Sequence, residues 1–254
     1  MDPQSLTARR FGGLERLYGV SGAANIRQAH VAVVGIGGVG SWAVEALARS
    51  GVGKLTLIDF DHIAESNINR QIHALDDTLG MSKVQAMQQR IAQINPQCEV
   101  QCVDEFVTPE NWPVILNGNV TAVIDACDQI KAKTVMSAWA IQNQTLFITV
   151  GAAGGKRSAH KVDIEDLSLT THDPLLAQLR YRLRREHNAP PDKKKIGVSC
   201  VYSKESVAQA DSNCEIEGTT DGSLNCHGYG SVVSVTATFG QCAAGWVINK
   251  ISAL

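Results

Sequence analysis

The stretch HVAVVGIGGVGSWAVEALARSG, residues 30–51, decides the fold class. It opens on the near-continuous apolar run HVAVVG, the pattern of a strand covered on both faces. It closes as a helix, with Val44, Leu47 and Ala48 on one face and Gly51 as the stop. Between them, Gly35, Gly37, Gly38 and Gly40 form a glycine loop of the G-x-G-x-x-G type. Such a loop turns tightly and brings a phosphate against backbone N–H groups at a helix N-terminus. The context points to a nucleotide without saying which one.

Outward from this unit the same alternation continues. KLTLID (54–59) reads as a second strand, and Ser82 can cap a helix that runs to Ile94 and ends at Asn95-Pro96. EVQCVDEFV is a third strand pattern, after which Thr108-Pro109 predicts a short helix with proline at its first position. AVIDAC (122–127) and TLFITVG (145–151) are two more buried strands, separated by the helix KAKTVMSAWAIQN. Repeated βα units predict an α/β fold, a Rossmann-like doubly wound and mainly parallel sheet. The second half predicts an irregular C-terminal extension. It contains a helix over 173–187, capped by Asp173 and carrying Leu175, Leu176, Leu179 and Leu183 on one stripe. Residues 211–230 are polar and glycine-rich and read as a mobile loop. The expected organisation is one domain over 1–254: an N-terminal segment (1–29), a nucleotide-binding core (30–155), a substrate-binding insertion and loop (156–230) and a closing apolar helix (231–254).

Composition excludes several classes. Of 254 residues, 44% are hydrophobic and 19% charged, as in ordinary globular chains. The net charge of −2 gives the molecule no general attraction to nucleic acid, so any such attraction must be local. The N-terminus lacks an apolar signal core, and no run is apolar enough to predict a membrane span. Seven cysteines without a C-x-x-C pair argue for reduced cytoplasmic thiols and against a zinc ribbon.

The chemistry lies after the second strand. Asp59 ends that strand nineteen residues beyond Gly40, where an acid can hold ribose hydroxyls. DFDHIAESNINRQ then places Asn67 and Arg70 at the same sheet edge, and GMSKV adds Lys83 at the start of the next helix. Two cations in one crevice have little use beside a hydride carrier. They suit a triphosphate, whose oxygens gain charge during displacement. VIDACDQ brings Asp125 and Asp128 to the same edge, where a carboxylate can hold Mg²⁺.

This set resembles the E1-like superfamily (the ThiF/MoeB type) of ATP-dependent adenylating enzymes. The resemblance covers most of residues 10–155 and implies that Gly35, Gly37, Gly38, Gly40, Asp59, Asn67, Arg70, Gln71, Lys83 and Asp128 cooperate on Mg-ATP, with Arg70 and Lys83 catalytic and Asp128 on the metal. Within the superfamily, RRFGGLERLYG, NRQIHAL and SVTATFG make the chain similar to the bacterial tRNA threonylcarbamoyladenosine dehydratases. That resemblance implies adenylation of a carboxylate on a modified tRNA adenosine, followed by ring closure and release of AMP. It also implies a homodimer, with Arg10 or Arg16 reaching the partner's site, and contact with a sulfur-transfer (cysteine desulfurase) system. Cys226, beside His227, is then a tempting thiol, but the reading favours a loop cysteine without catalytic duty.

Arg180, Arg182, Arg184, Arg185, Lys193, Lys194 and Lys195 are seven of the chain's 23 basic side chains. Alone they read equally as a solvated face or a phosphate-binding surface. The resemblance turns the expectation towards tRNA. Two other functions stay open at this stage: adenylation of a ubiquitin-like sulfur carrier, and a non-catalytic nucleotide-gated tRNA-binding or sulfur-relay scaffold. An NAD dehydrogenase leaves Asn67, Arg70 and Lys83 unexplained.

Overall fold

Strands that are apolar on every residue need cover on both faces, and the fold supplies it. The computed structural model describes residues 3–192, 194–208 and 229–254, with side chains from residue 9 onward. In chain order the elements are α1 (Pro3–Gln28), β1 (His30–Val34), α2 (Gly40–Arg49), β2 (Lys54–Ile58), α3 (Lys83–Ile94), β3 (Glu99–Val103), β4 (Ala122–Asp125), α4 (Ile130–Asn143), β5 (Leu146–Val150), β6 (Val162–Asp166), α5 (Pro174–Glu186), β7 (Ser199–Ser203) and α6 (Val233–Ser252).

The seven strands run in the order β3-β2-β1-β4-β5-β7-β6. All neighbours pair parallel except β6 with β7. The order reverses between β1 and β4, and a doubly wound sheet opens its ligand crevice at such a reversal, beyond the carboxyl ends of the strands. The glycine loop leaves β1 at that point.

Along β1, Val31 and Val33 enter one core while Ala32 and Val34 enter the other. The first core is closed by α2, α3 and α6 through Val44, Leu47, Met87, Ile91, Phe239 and Val247. The second is closed by α4 and α5 through Met136, Leu176, Leu179 and Leu183. Gly240 of α6 lies directly on the start of α2. A methyl group there would stand 2.4 Å from the Val39 carbonyl oxygen. The closing helix therefore braces the backbone of the glycine loop.

Three expectations change. The irregular second half adds β7 and β6 to the sheet itself, so residues 162–203 extend the core as well as following it. The short helix after Thr108 is a turn followed by a 3₁₀ segment, Val114–Leu116. Thr108 Oγ1 and Asn111 Oδ1 cap that turn reciprocally, and Pro113 lacks the N–H a continuing helix would need. Ser82 stands at the N-cap position of α3 but makes no capping hydrogen bond. The caps at Asp173 and Pro174 are as read: Asp173 Oδ1 accepts from the Leu176 N–H at 3.0 Å. Among the described residues, no helix is long and apolar enough to cross a membrane.

Candidate nucleotide site and basic surface

The glycine loop is tight enough to exclude side chains. Gly35 has φ +83°, and a methyl group there would stand 2.8 Å from the Cys127 nitrogen after β4. One on Gly40 would stand 1.7 Å from the Gly35 carbonyl oxygen. At the start of α2, Val39 contributes no side-chain cap, and the Ser41 N–H is taken by the Gly37 carbonyl at 3.1 Å, so an anion there would meet the N–H groups that precede Ser41.

Asp59 binds this loop directly. Its Oδ2 accepts from the Ile36 N–H at 2.5 Å and its Oδ1 from the Asp61 N–H at 2.8 Å. Burial pushes its pKa above the usual carboxylate value, and the Lys83 cation works against that rise. Lys83 itself is buried at the first position of α3, with Nζ 2.6 Å from Asp61 Oδ2. Asp61, half-exposed, is a member of the site that the sequence motif did not single out. Asp128 faces the same charges. Burial raises its pKa first, Asp61 adds to the rise, and Lys133 and Lys83 oppose it.

The N-x-x-R-Q spacing is one helical turn. The Asn67 carbonyl accepts from Arg70 N–H at 3.1 Å and Gln71 N–H at 3.0 Å, while Asn67 Oδ1 closes the turn on the Ala64 N–H. Asn67 thus shapes the segment that presents Arg70. The Arg70 stem lies against Gly38, whose added methyl would be 3.2 Å from Arg70 Cγ. Its guanidinium donates to the Ser66 carbonyl at 2.6 Å. The strap is tied down by Trp42 Nε1, which donates to the Arg70 carbonyl at 2.9 Å, and by His73 Nε2, 2.9 Å from the Ile36 carbonyl. Phe60 and Phe106 form a tilted pair, 5.1 Å between centroids, immediately beyond Asp59. The sequence singled out neither ring, because a single phenylalanine at a strand end carries no motif.

Asp125 is separated from this group. It is fully buried, bonded by Lys133 Nζ at 3.0 Å and by Thr149 Oγ1 at 2.6 Å. Its carboxylate is committed to the core and is not open to a metal. Asp128, expected to hold Mg²⁺, is not tied up in this way and stands close enough to Asp61 and Lys83 to feel both charges. Among the described residues no cluster of three His, Cys, Asp or Glu side chains could hold a metal. One carboxylate still fits Mg²⁺, which usually takes its other ligands from nucleotide phosphates and water.

The described thiols are not activated. Burial raises the pKa of Cys98 to about 12 and also lifts those of Cys102, Cys127, Cys200 and Cys242. Cys226 and His227 lie outside the described residues.

The basic stretch divides. Arg180 differs from the rest of the expected phosphate set in its contacts. It sits beside the buried Leu179 and turns inward, donating to the Leu167 carbonyl at 2.8 Å and the Thr170 carbonyl at 3.1 Å. Arg184 donates to the Pro190 carbonyl at 3.1 Å and pairs with Asp192. Arg182 lies 3.7 Å from Glu186, while Arg185 pairs with Glu186 and stacks over Tyr181. Arg185, Lys194 and Lys195 are exposed. Lys193 lies outside the described residues. At the other end of the chain, Arg10 caps α3 through the Ile94 carbonyl at 2.5 Å, whereas Arg16 is exposed beside Leu17 and Val20.

The sequence model of the ThiF family matches residues 12–254. The chain is 44% identical to the tRNA threonylcarbamoyladenosine dehydratase of Haemophilus influenzae over 247 residues, covering 96% of this chain and 93% of that protein. It is 43% identical to the Escherichia coli protein of the same name over 252 residues, covering 96% and 94%. The crystal structure of the E. coli tRNA N6-threonylcarbamoyladenosine dehydratase in complex with ATP superposes with a TM-score of 0.87, at 42% identity, covering 97% of this chain and 95% of that one. The AMP complex gives a TM-score of 0.88.

Proposed function

The chain belongs to the ThiF family, and from that premise we propose that it is an ATP-dependent tRNA threonylcarbamoyladenosine dehydratase. The observation that carries this reading is the proximity of five groups at the β1/β4 reversal: Arg70 lies on Gly38 of the glycine loop, Asp59 binds the loop at Ile36, and the Lys83 charge acts on both Asp59 and Asp128. In the reaction, an oxygen of the threonylcarbamoyl carboxylate attacks the α-phosphorus of ATP and pyrophosphate leaves. An internal nucleophile of the same group then attacks the activated carbonyl carbon, losing a proton, and AMP leaves. The product is cyclic and one water poorer.

The roles follow from placement. The glycine-loop amides and the uncapped α2 terminus hold phosphate. Asp59 holds the ribose through the lone pairs its backbone bonds leave free. Phe60 and Phe106 offer an apolar wall for the base. Arg70 and Lys83 stabilise charge on the leaving pyrophosphate. Asp128 would hold Mg²⁺, which supplies further charge neutralisation when bound with the nucleotide. Ring closure is intramolecular, so the buried thiols need not take part.

Arg185, Lys194 and Lys195, with Lys193 of the same run, form the proposed tRNA backbone surface. Arg182 and Arg184 are held by neighbouring acids and contribute less. Arg180 is reassigned to anchoring the connector before α5. Residues 1–254 act as one unit in the cytoplasm. They form a homodimer in which Arg16, flanked by exposed Leu17 and Val20, is the candidate for reaching the partner's crevice. Contact with a sulfur-transfer protein is kept as part of the same proposal.

ATP–pyrophosphate exchange tests the reading. Exchange should depend on tRNA carrying threonylcarbamoyladenosine. Exchange with a ubiquitin-like sulfur carrier and none with that tRNA would replace the proposal with the sulfur-carrier alternative. Binding of both ligands without any turnover would support the scaffold instead.

A further inference from the structure

The Ile36 peptide groups are gripped from both sides. The Ile36 N–H donates to Asp59, and the Ile36 carbonyl lies 2.9 Å from His73 Nε2. A carbonyl can only accept, so the His73 proton must sit on Nε2. His73 is 2% exposed, and its Nδ1 is buried with no hydrogen-bond partner. Protonating Nδ1 would therefore create an uncompensated buried charge. Burial drives the His73 pKa down to about 4, with Lys83 and Arg90 adding to the fall, while the bond to Ile36 opposes it. The ring is a neutral, one-way donor.

That donor controls the next amide. The Ile36–Gly37 peptide is trans, so its C=O and N–H point in opposite directions. Fixing the carbonyl on His73 fixes the Gly37 N–H on the far side, away from the strap. Gly37 lies three residues before α2 begins at Gly40, and its own carbonyl accepts from the Ser41 N–H at 3.1 Å in the first turn of that helix. A freely turning glycine peptide has no such preference. We infer that His73 is a positioning residue, which locks the Ile36–Gly37 peptide so that the Gly37 amide faces the nucleotide phosphates. The inference rests on the nucleotide-site reading and on no property of the tRNA.

A phosphate-specific role predicts a phosphate-specific loss. AMP and adenosine differ only by the phosphate, so their affinity ratio isolates the effect. Wild type should prefer AMP; no preference would overturn the nucleotide-site reading together with this inference. In H73L the AMP affinity should fall by about 10-fold or more, the scale of a hydrogen bond to a charged group, with adenosine affinity unchanged. H73Q keeps an N–H donor and should restore most of the ratio. Equal losses for both ligands, or an unchanged ratio in H73L, would overturn the inference while leaving the nucleotide reading intact. Should H73L fail to fold, ¹⁵N NMR of wild-type imidazole decides. A neutral ring protonated on Nε2 at pH 7 supports the lock, and a proton on Nδ1 removes it.

Discussion

Two lysine–aspartate pairs lie at the carboxyl edge of the sheet, and they do opposite work. Lys133 and Asp125 are both 0% exposed and 3.0 Å apart. Lys83 and Asp61 are 2.6 Å apart, but their side chains are 7% and 54% exposed. In the sealed pair, burial is the largest single influence and opposes the Lys133 cation, but Asp125, together with Cys127 and Cys200, keeps the lysine pKa above its ordinary value. Thr149 Oγ1 and the Val150 carbonyl accept the remaining Lys133 protons at 3.0 and 2.8 Å. All donors are satisfied and nothing is left for a ligand. In the open pair, water reaches the acid, so Lys83 can exchange Asp61 for phosphate at little desolvation cost. Satisfaction makes the first pair structural, and accessibility leaves the second open to the phosphate role proposed for Lys83.

Removing one partner of each pair should separate the two roles. The largest effect should come from K133M, which leaves Asp125 charged and buried. Unfolding free energy should drop by about 3–5 kcal/mol in denaturant melts. The double variant D125N/K133M should recover part of that loss, because no lone charge remains. A K133M protein as stable as wild type would break the comparison.

K83A should leave the melt near wild type, since Asp61 simply hydrates. Turnover measured by tRNA-dependent AMP release should fall by about 10²-fold or more, as should that of R70A. Near-normal AMP release from K83A would move the chemistry away from the open pair.

Asp128 sharpens the contrast with Asp125, its neighbour three residues earlier. D128N should raise the Mg²⁺ concentration needed for half-maximal rate without changing stability. An unchanged Mg²⁺ titration removes Asp128 from the site.

How much of this was readable beforehand depended on the kind of signal. The parallel sheet and the glycine loop were legible from repeated strand and helix patterns, and Asp59, Asn67, Arg70 and Lys83 stood out as a short run after one strand end, while their roles on ATP came from the resemblance. The residues alone left Asp125 and Asp128 side by side at one strand end and only the resemblance chose Asp128; the structure separates them by burying Asp125 against Lys133 and Thr149. Arg180 looked like its neighbours because periodicity marks the apolar stripe of α5. It does not show that a flanking arginine folds back onto the connector. Asp61, His73 and Gly240 were missed for a related reason: each acts through a contact distant in sequence, with Lys83, Ile36 and Val39.

The smallest expected effect concerns the basic surface. Replacing Arg185, Lys194 and Lys195 by neutral residues should weaken all substrate tRNAs alike and flatten the salt dependence by roughly 0.7–0.9 of a log unit per lost phosphate contact. R180Q should instead lower stability and leave the salt slope alone. Parallel slopes for wild type and the triple variant would make this stretch a solvated face.

The central claim is that the open crevice spends ATP to remove water from a tRNA nucleoside. Mass spectrometry of nucleosides from threonylcarbamoyladenosine-bearing tRNA, incubated with the protein, Mg²⁺ and ATP, tests it most directly. The account predicts that the modified nucleoside loses the mass of one water with wild type and keeps it with K83A. An unchanged nucleoside mass with wild type, while ATP is still converted to AMP, would contradict it.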